Sequence, residues 1–153
     1  STAEKLQVCQ AHGADHGINY ETEDLRLRIK ELTQGKGPDV IYDAVGGKFA
    51  EPCFRAIAWR GRYLVVGFAS GEIPSLPLNL ALLKGANIMG VFWGEFAKRE
   101  PKNNAAGLTE MLQWMKQGKI KPFVSKTYTL DQTAQALIDM SERKVTGKII
   151  ITP

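Results

Sequence analysis

The chain has 153 residues, 44% of them apolar and 24% charged, with a formal net charge of +4. That is the length of one ordinary domain with a proper core, and it contains no run of about 18 apolar residues to span a bilayer. The short polar amino terminus lacks the apolar centre of a signal peptide, and the basic residues are scattered rather than striped with aromatics. Membrane and nucleic-acid partners are therefore not expected, and a small phosphorylated ligand suits the modest positive excess.

Residues 3–12 read as a helix with Leu6 and Cys9 turned inward and Gly13 as the left-handed C′ residue. Residues 16–20, His-Gly-Ile-Asn-Tyr, read as a short strand. Asp24 then caps a helix with Leu25, Ile29 and Leu32 at i, i+4 and i+7. A glycine-rich turn at 34–38 feeds Val40, Ile41, Tyr42 and Asp43, a buried parallel strand that opens into Ala44, Val45, Gly46 and Gly47. The next helix carries Phe49, Cys53, Ala56 and Ile57 on one face. A strand at 63–66, a loop at 67–77, a helix at 78–84 and a strand at 87–92 continue the pattern. Strand and helix alternating at this spacing imply a parallel sheet with right-handed crossovers.

The polar stretch 94–104, which contains Pro101, is the candidate boundary. Beyond it, Leu108, Met111, Leu112 and Met115 mark an amphipathic helix that stops at Gly118. An extended piece at 123–128, a helix with Ala134, Leu137 and Ile138 inward, and a strand at 148–152 complete the chain. The chain is thus expected to comprise a partial dinucleotide-binding domain, 1–103, and a carboxyl-terminal α+β segment, 104–153.

Three strand ends with small or aromatic residues can line one crevice, where open α/β sheets bind ligands. A nicotinamide ring and its ribose need close backbone approach and amides for the carboxamide, which Gly46, Gly67 and Gly94 can supply. Ser1, Thr2 and Lys5 sit where such folds meet the adenosine ribose, and hydroxyls with a cation favour a 2′-phosphate. Tyr20 can lie by the same phosphate or by the adenine, and Phe92 and Trp93 can stack on a ring. Asp43 is either a general base or, more simply, an acceptor for nearby loop amides.

Cys9 and Cys53 are expected as buried thiols of a reducing compartment, since neither belongs to a CxxC or Cys/His cluster. His12 and His16 flank a turn and are expected at the surface, so no metal site is assigned. No Ser/His/Asp or Cys/His triad, GxSxG elbow or GxxxxGK[ST] loop is present.

The succession STAEKL, GADHGINY, GPDVIYDAVGG, GRYLVVGFASG, NIMGVFWG, GKIKPFVSKTYTL and TGKIIITP resembles the carboxyl-terminal half of a zinc-independent quinone oxidoreductase of the medium-chain dehydrogenase/reductase superfamily. The resemblance covers essentially the whole chain. It implies an α/β fold with a Rossmann-like parallel sheet, incomplete because the first two strands and the Gly-rich loop are absent. It further implies NADPH as cofactor, hydride transfer to a quinone or other conjugated carbonyl, and a cytoplasmic setting. By position, Ser1 and Lys5 would meet the 2′-phosphate, with Tyr20 near that end. Ala44, Val45 and Gly46 would pass the nicotinamide half, with Gly67, Phe68, Ala69 and Ser70 beside it and Phe92, Trp93 and Gly94 closing over it. The strand around Met89 to Phe92 would pair with its twin in a homodimer. The chain would then be a fragment, inactive alone, of a parent of about 320 to 330 residues. Competing expectations are a zinc-type alcohol dehydrogenase of the same superfamily, a non-catalytic NADPH-binding protein on that fold, and, more remotely, a methyltransferase.

Overall fold

The computed structural model describes residues 2–153, which form two compact units, 2–93 and Gly94–Pro153. In the first, helix α1 (Ala3–Ala11) is capped by Thr2, whose hydroxyl accepts from the Lys5 amide at 3.3 Å. It ends at Gly13, which takes the expected left-handed turn at φ +99°. Helix α2 (Leu25–Leu32) starts where Asp24 Oδ1 accepts from the Leu27 amide at 2.8 Å.

The sheet follows. Strands β1 (Val40–Asp43), β2 (Arg62–Val65) and β3 (Asn87–Gly90) lie in that order and all parallel, with Ile41 opposite Tyr63 and Tyr63 opposite Ile88. A 3₁₀ turn (Gly47–Phe49) and helix α3 (Ala50–Ala56) join β1 to β2, and helix α4 (Leu78–Lys84) joins β2 to β3. Parallel neighbours require such crossovers. Ala50, Phe54, Ile57, Tyr63 and Leu80 form the core, with Ile41, Cys53 and Val65 packed against it. Phe54 and Ile57 are fully buried, each stabilising the fold by about 1.5–3 kcal/mol.

Several expectations are corrected. Residues 16–20 form no strand: the Asn19 amide donates to Glu23 Oε2 at 2.7 Å, and its carbonyl accepts from Thr22 and Glu23. A local turn has taken the groups that a ladder needs, and no described strand lies beside them. β1 is covered on one face only, so that Tyr42 is 69% exposed and Val40 is also exposed. Leu6 packs against Gly17, but Cys9 on the same helix is exposed, and Cys53 is half-buried. The 3₁₀ turn before α3 changes the helical phase, so Phe54 joins Ala56 and Ile57 inside while Phe49 stays half-buried.

In the second unit, helix α5 (Trp93–Arg99), which begins on the last residue of the first, is followed by α6 (Pro101–Lys116). The stretch expected as a polar boundary is therefore largely helical. Pro101 occupies the first turn of α6, where a missing N–H costs nothing. Strands β4 (Val124–Thr129) and β5 (Lys148–Thr152) pair in parallel, and a Thr129–Gln132 capping box leads through a 3₁₀ turn into α7 (Thr133–Ser141).

The inner face of α7 is Ala136 and Asp139, whereas Ala134, Leu137 and Ile138, expected inward, are exposed. Asp139 explains the choice, because its carboxylate accepts from Tyr128 Oη at 2.5 Å, Gln135 Nε2 at 2.8 Å and Lys126 Nζ at 3.1 Å. A charge-assisted cluster therefore sets the rotation of the helix, and the apolar stripe points elsewhere.

Candidate functional site

The carboxyl ends of β1 and β2 are tied into one structure. Asp43 O accepts from the Val66 amide at 2.8 Å and the Gly67 amide at 3.3 Å. Ala44 O accepts from Ala69 N at 3.1 Å, Val45 O from Ser70 N at 3.0 Å, and Glu72 O from Gly47 N at 3.1 Å. The third strand end is aligned with them by the Val91 amide, which donates to Val65 O at 2.9 Å. Gly46 and Gly47 turn with φ of +67° and +58°. A Cβ at Gly46 would lie 2.8 Å from Phe68 Cδ1, and one at Gly47 2.7 Å from Ser70 Oγ, so only glycine allows these loops to touch.

Asp43 controls the bend. Its Oδ1 accepts from the Val45 amide at 2.8 Å and the Gly46 amide at 2.9 Å, and its Oδ2 accepts from the Tyr63 hydroxyl. Burial alone would raise the carboxyl, but the bonds from Gly46, Tyr63 and Val45 together hold it below the ordinary carboxylate range. Burial, and then the bond to Asp43, push the Tyr63 phenol strongly upward, so it remains a donor. The simpler reading of Asp43, as an acceptor for loop amides, is the one realised.

The structure brings Ala44, Val45, Gly46, Gly67, Phe68, Ala69 and Ser70 together at the paired strand ends. Tyr20 joins them indirectly, with its ring 4.6 Å from that of Phe49 at a tilt of 55°. Phe92 and Trp93, just beyond β3, are 74% and 62% exposed. Lys5 lies in the first turn of α1, half-buried. Ser1 lies outside the described residues, and Gly94 opens the second unit within α5.

One chemical expectation fails. The amides of Gly46 and Gly67 already donate, to the Asp43 carboxylate and the Asp43 carbonyl, so neither is free for a ligand carboxamide. What the glycines provide is close approach between loops. Sequence reasoning missed Tyr63 and the Glu72 carbonyl as organisers of the site. The signal for Tyr63 is the register: opposite Ile41, it shares a face with Asp43 two residues on.

A cleft of about 510 Å³ lies nearby, lined by Asp24, Arg26, Lys48, Glu51, Arg55 and Pro74 among others, and none of the expected site residues borders it. Glu51 and Arg55 pair across its wall at 2.5 Å. Cys53 is pushed up to about 11 by burial and then by the Asp43 charge, which keeps it a thiol at neutral pH. Among the described residues no three His, Cys, Asp or Glu side chains converge as metal donors. Nor is any described helix long and apolar enough to cross a membrane.

Comparison with known proteins agrees with the geometry. The family described as zinc-binding dehydrogenase matches residues 12–151. The quinone oxidoreductase-like protein 2 homolog of Nematostella vectensis is 40% identical over 99% of this chain and 42% of its own length. The structure of Pseudomonas syringae quinone oxidoreductase superposes with a TM-score of 0.86 at 31% identity, covering 100% of this chain and 47% of that one. Escherichia coli quinone oxidoreductase, complexed with NADPH, gives a TM-score of 0.84 at 29% identity over 99% of this chain and 47% of that one. This chain spans slightly less than half the length of these relatives. The chain belongs to the zinc-binding dehydrogenase family of the medium-chain dehydrogenase/reductase superfamily. Its relatives are quinone oxidoreductase-like proteins, and its α/β fold matches their Rossmann-like carboxyl-terminal half.

Proposed function

We propose that this chain supplies the nicotinamide-side half of an NADPH-dependent oxidoreductase that delivers hydride to a quinone or other conjugated carbonyl. The observation that carries the reading is the welded pair of loops after β1 and β2, which exposes Ala44, Val45, Phe68, Ala69 and Ser70 at the ligand-binding end of a parallel sheet. Small and apolar groups on a rigid ledge fit the ring and ribose of a dinucleotide, with the glycines allowing the close approach. Phe92 and Trp93 add aromatic surface beyond the third strand, with Gly94 following. Lys5 and Ser1 would hold the 2′-phosphate, and Tyr20, braced on Phe49, would flank that end. NADPH, when bound, supplies the hydride; the residues of this chain bind it, orient it and shield one face from water.

The activity would belong to a longer protein, since the relatives are about twice as long, and the 153-residue chain alone should bind NADPH weakly and turn over nothing. In that protein β3, whose four residues are all exposed, would pair with its twin to make a homodimer around Met89 to Phe92.

Fluorescence titration of the full-length protein with NADPH and NADH, followed by a quinone turnover assay, tests the proposal. Lys5→Glu should weaken NADPH more than NADH, by about 1.5 to 3 kcal/mol for a lost charge-assisted contact. Equal effects on both cofactors would remove Lys5 from the site. Tight NADPH binding without cofactor oxidation by quinones would make the protein a binder rather than a reductase.

A further inference from the structure

We infer that Tyr63, a buried residue that no ligand needs to touch, is the positioning residue of the candidate site, acting through Asp43 to set the Ala44–Val45–Gly46 bend. The inference rests on the cofactor reading above only for its consequence in binding. Its structural basis is a single line of contacts from core to loop.

Tyr63 is 1% exposed, and its ring meets Phe54 edge-on, with centroids 5.5 Å apart at 84°. Phe54 is itself completely buried. The register puts Tyr63 opposite Ile41, so its side chain rises on the face that carries Asp43, and its hydroxyl donates to Oδ2. The other oxygen, Oδ1, takes the amides of Val45 and Gly46. Both oxygens are therefore committed, one to the core and one to the loop.

Remove the hydroxyl, and Asp43 keeps its loop amides but loses the anchor that fixes its rotamer. The bend would then be held by a carboxylate free to swing. The titratable groups that face this carboxylate are Tyr63 from β2 and Cys53 from α3. With one donor gone, the carboxyl rises toward its ordinary value. A depressed carboxyl stabilises above its unfolded value and ceases to do so as pH falls through its folded value, so the acid limb should move to higher pH.

The test is Tyr63→Phe in the full-length protein, with Phe54→Leu as a core control that leaves the hydroxyl in place. In Tyr63→Phe, amide hydrogen exchange at Val45 and Gly46 should quicken by about tenfold, the equivalent of one hydrogen bond to a charged group. The KM for NADPH should rise by about the same factor while kcat changes by less than about twofold, the pattern of lost binding rather than lost chemistry. The acid limb of loop protection should shift upward. Phe54→Leu should lower the melting temperature without moving that limb.

Unchanged exchange at Val45 and Gly46 in Tyr63→Phe would overturn the inference, as would an equal limb shift in Phe54→Leu. If the wild-type protein binds no NADPH while Tyr63→Phe still loosens the two amides, the cofactor reading falls and the hold of Tyr63 on the loop stands.

Discussion

The two units are held together by different physics. In the first, Phe54, Ile57, Tyr63 and Leu80 are buried around one side of a parallel sheet, an ordinary hydrophobic core. In the second, the residues described as buried are Tyr128, Ala136 and Asp139, and the tie is a carboxylate with three donors. The apolar stripes that helical spacing puts on α6 and α7, including Leu108, Met111, Leu112, Leu137 and Ile138, face solvent. Periodicity tells which residues a helix offers for burial. It does not tell whether the burying surface belongs to the same unit.

The largest expected effect lies in the first unit. Phe54→Ala should cost about 3–5 kcal/mol in denaturant unfolding, because it removes a fully buried ring from a packed site. A cost below that of an exposed substitution would erase the contrast between the units. Gly37→Ala comes next. Gly37 turns at φ +82°, and a Cβ there would sit 2.1 Å from the Ala56 carbonyl oxygen. The backbone at the end of α3 must move, at a cost of about 1–3 kcal/mol by the same measurement.

Asp139→Asn probes the second unit. Bonds from Tyr128, Gln135 and Lys126 lower the Asp139 carboxyl from 3.8 to about 2. Its contribution is therefore complete above 3.8 and disappears as pH falls toward 2. Thermal melts followed by circular dichroism should show a lower melting temperature for Asp139→Asn at neutral pH. The variant should also lack the part of the acid-induced loss that wild type shows in that window.

The smallest effect is expected from Leu137→Ser. At 61% exposure it should change the stability of the 153-residue chain by no more than about 0.5 kcal/mol. A loss of more than about 2 kcal/mol for the same substitution in the full-length protein would show that the stripe is covered there.

Local chemistry made much of this fold legible. Asp24 as a cap, Gly13 as a helix stop, and the end of the first strand at Asp43 follow from residue type and spacing, whereas the second strand, read as 63–66, is shifted by one residue to Arg62–Val65. Failures came where a partner decides. The 16–20 segment has strand composition but no ladder, and the sides taken by Cys9 and Leu137 depend on surfaces that a linear pattern does not contain. The candidate site was legible as a place through its glycines, whereas its internal wiring was not. Whether the Gly46 amide faces a ligand or Asp43 depends on a rotamer fixed from β2.

The contact of Gly46 with Phe68 and of Gly47 with Ser70 has an evolutionary corollary. Both glycines also turn at positive φ, so volume given up at 68 or 70 would not admit a side chain at 46 or 47, and the burden of change falls on the partner loop. Across divergent relatives, positions 46 and 47 should stay glycine, while positions 68 and 70 vary within the space that the glycines leave. A directed-evolution library aimed at this ledge would be mostly dead if it varied 46 or 47, and is best confined to 68 and 70.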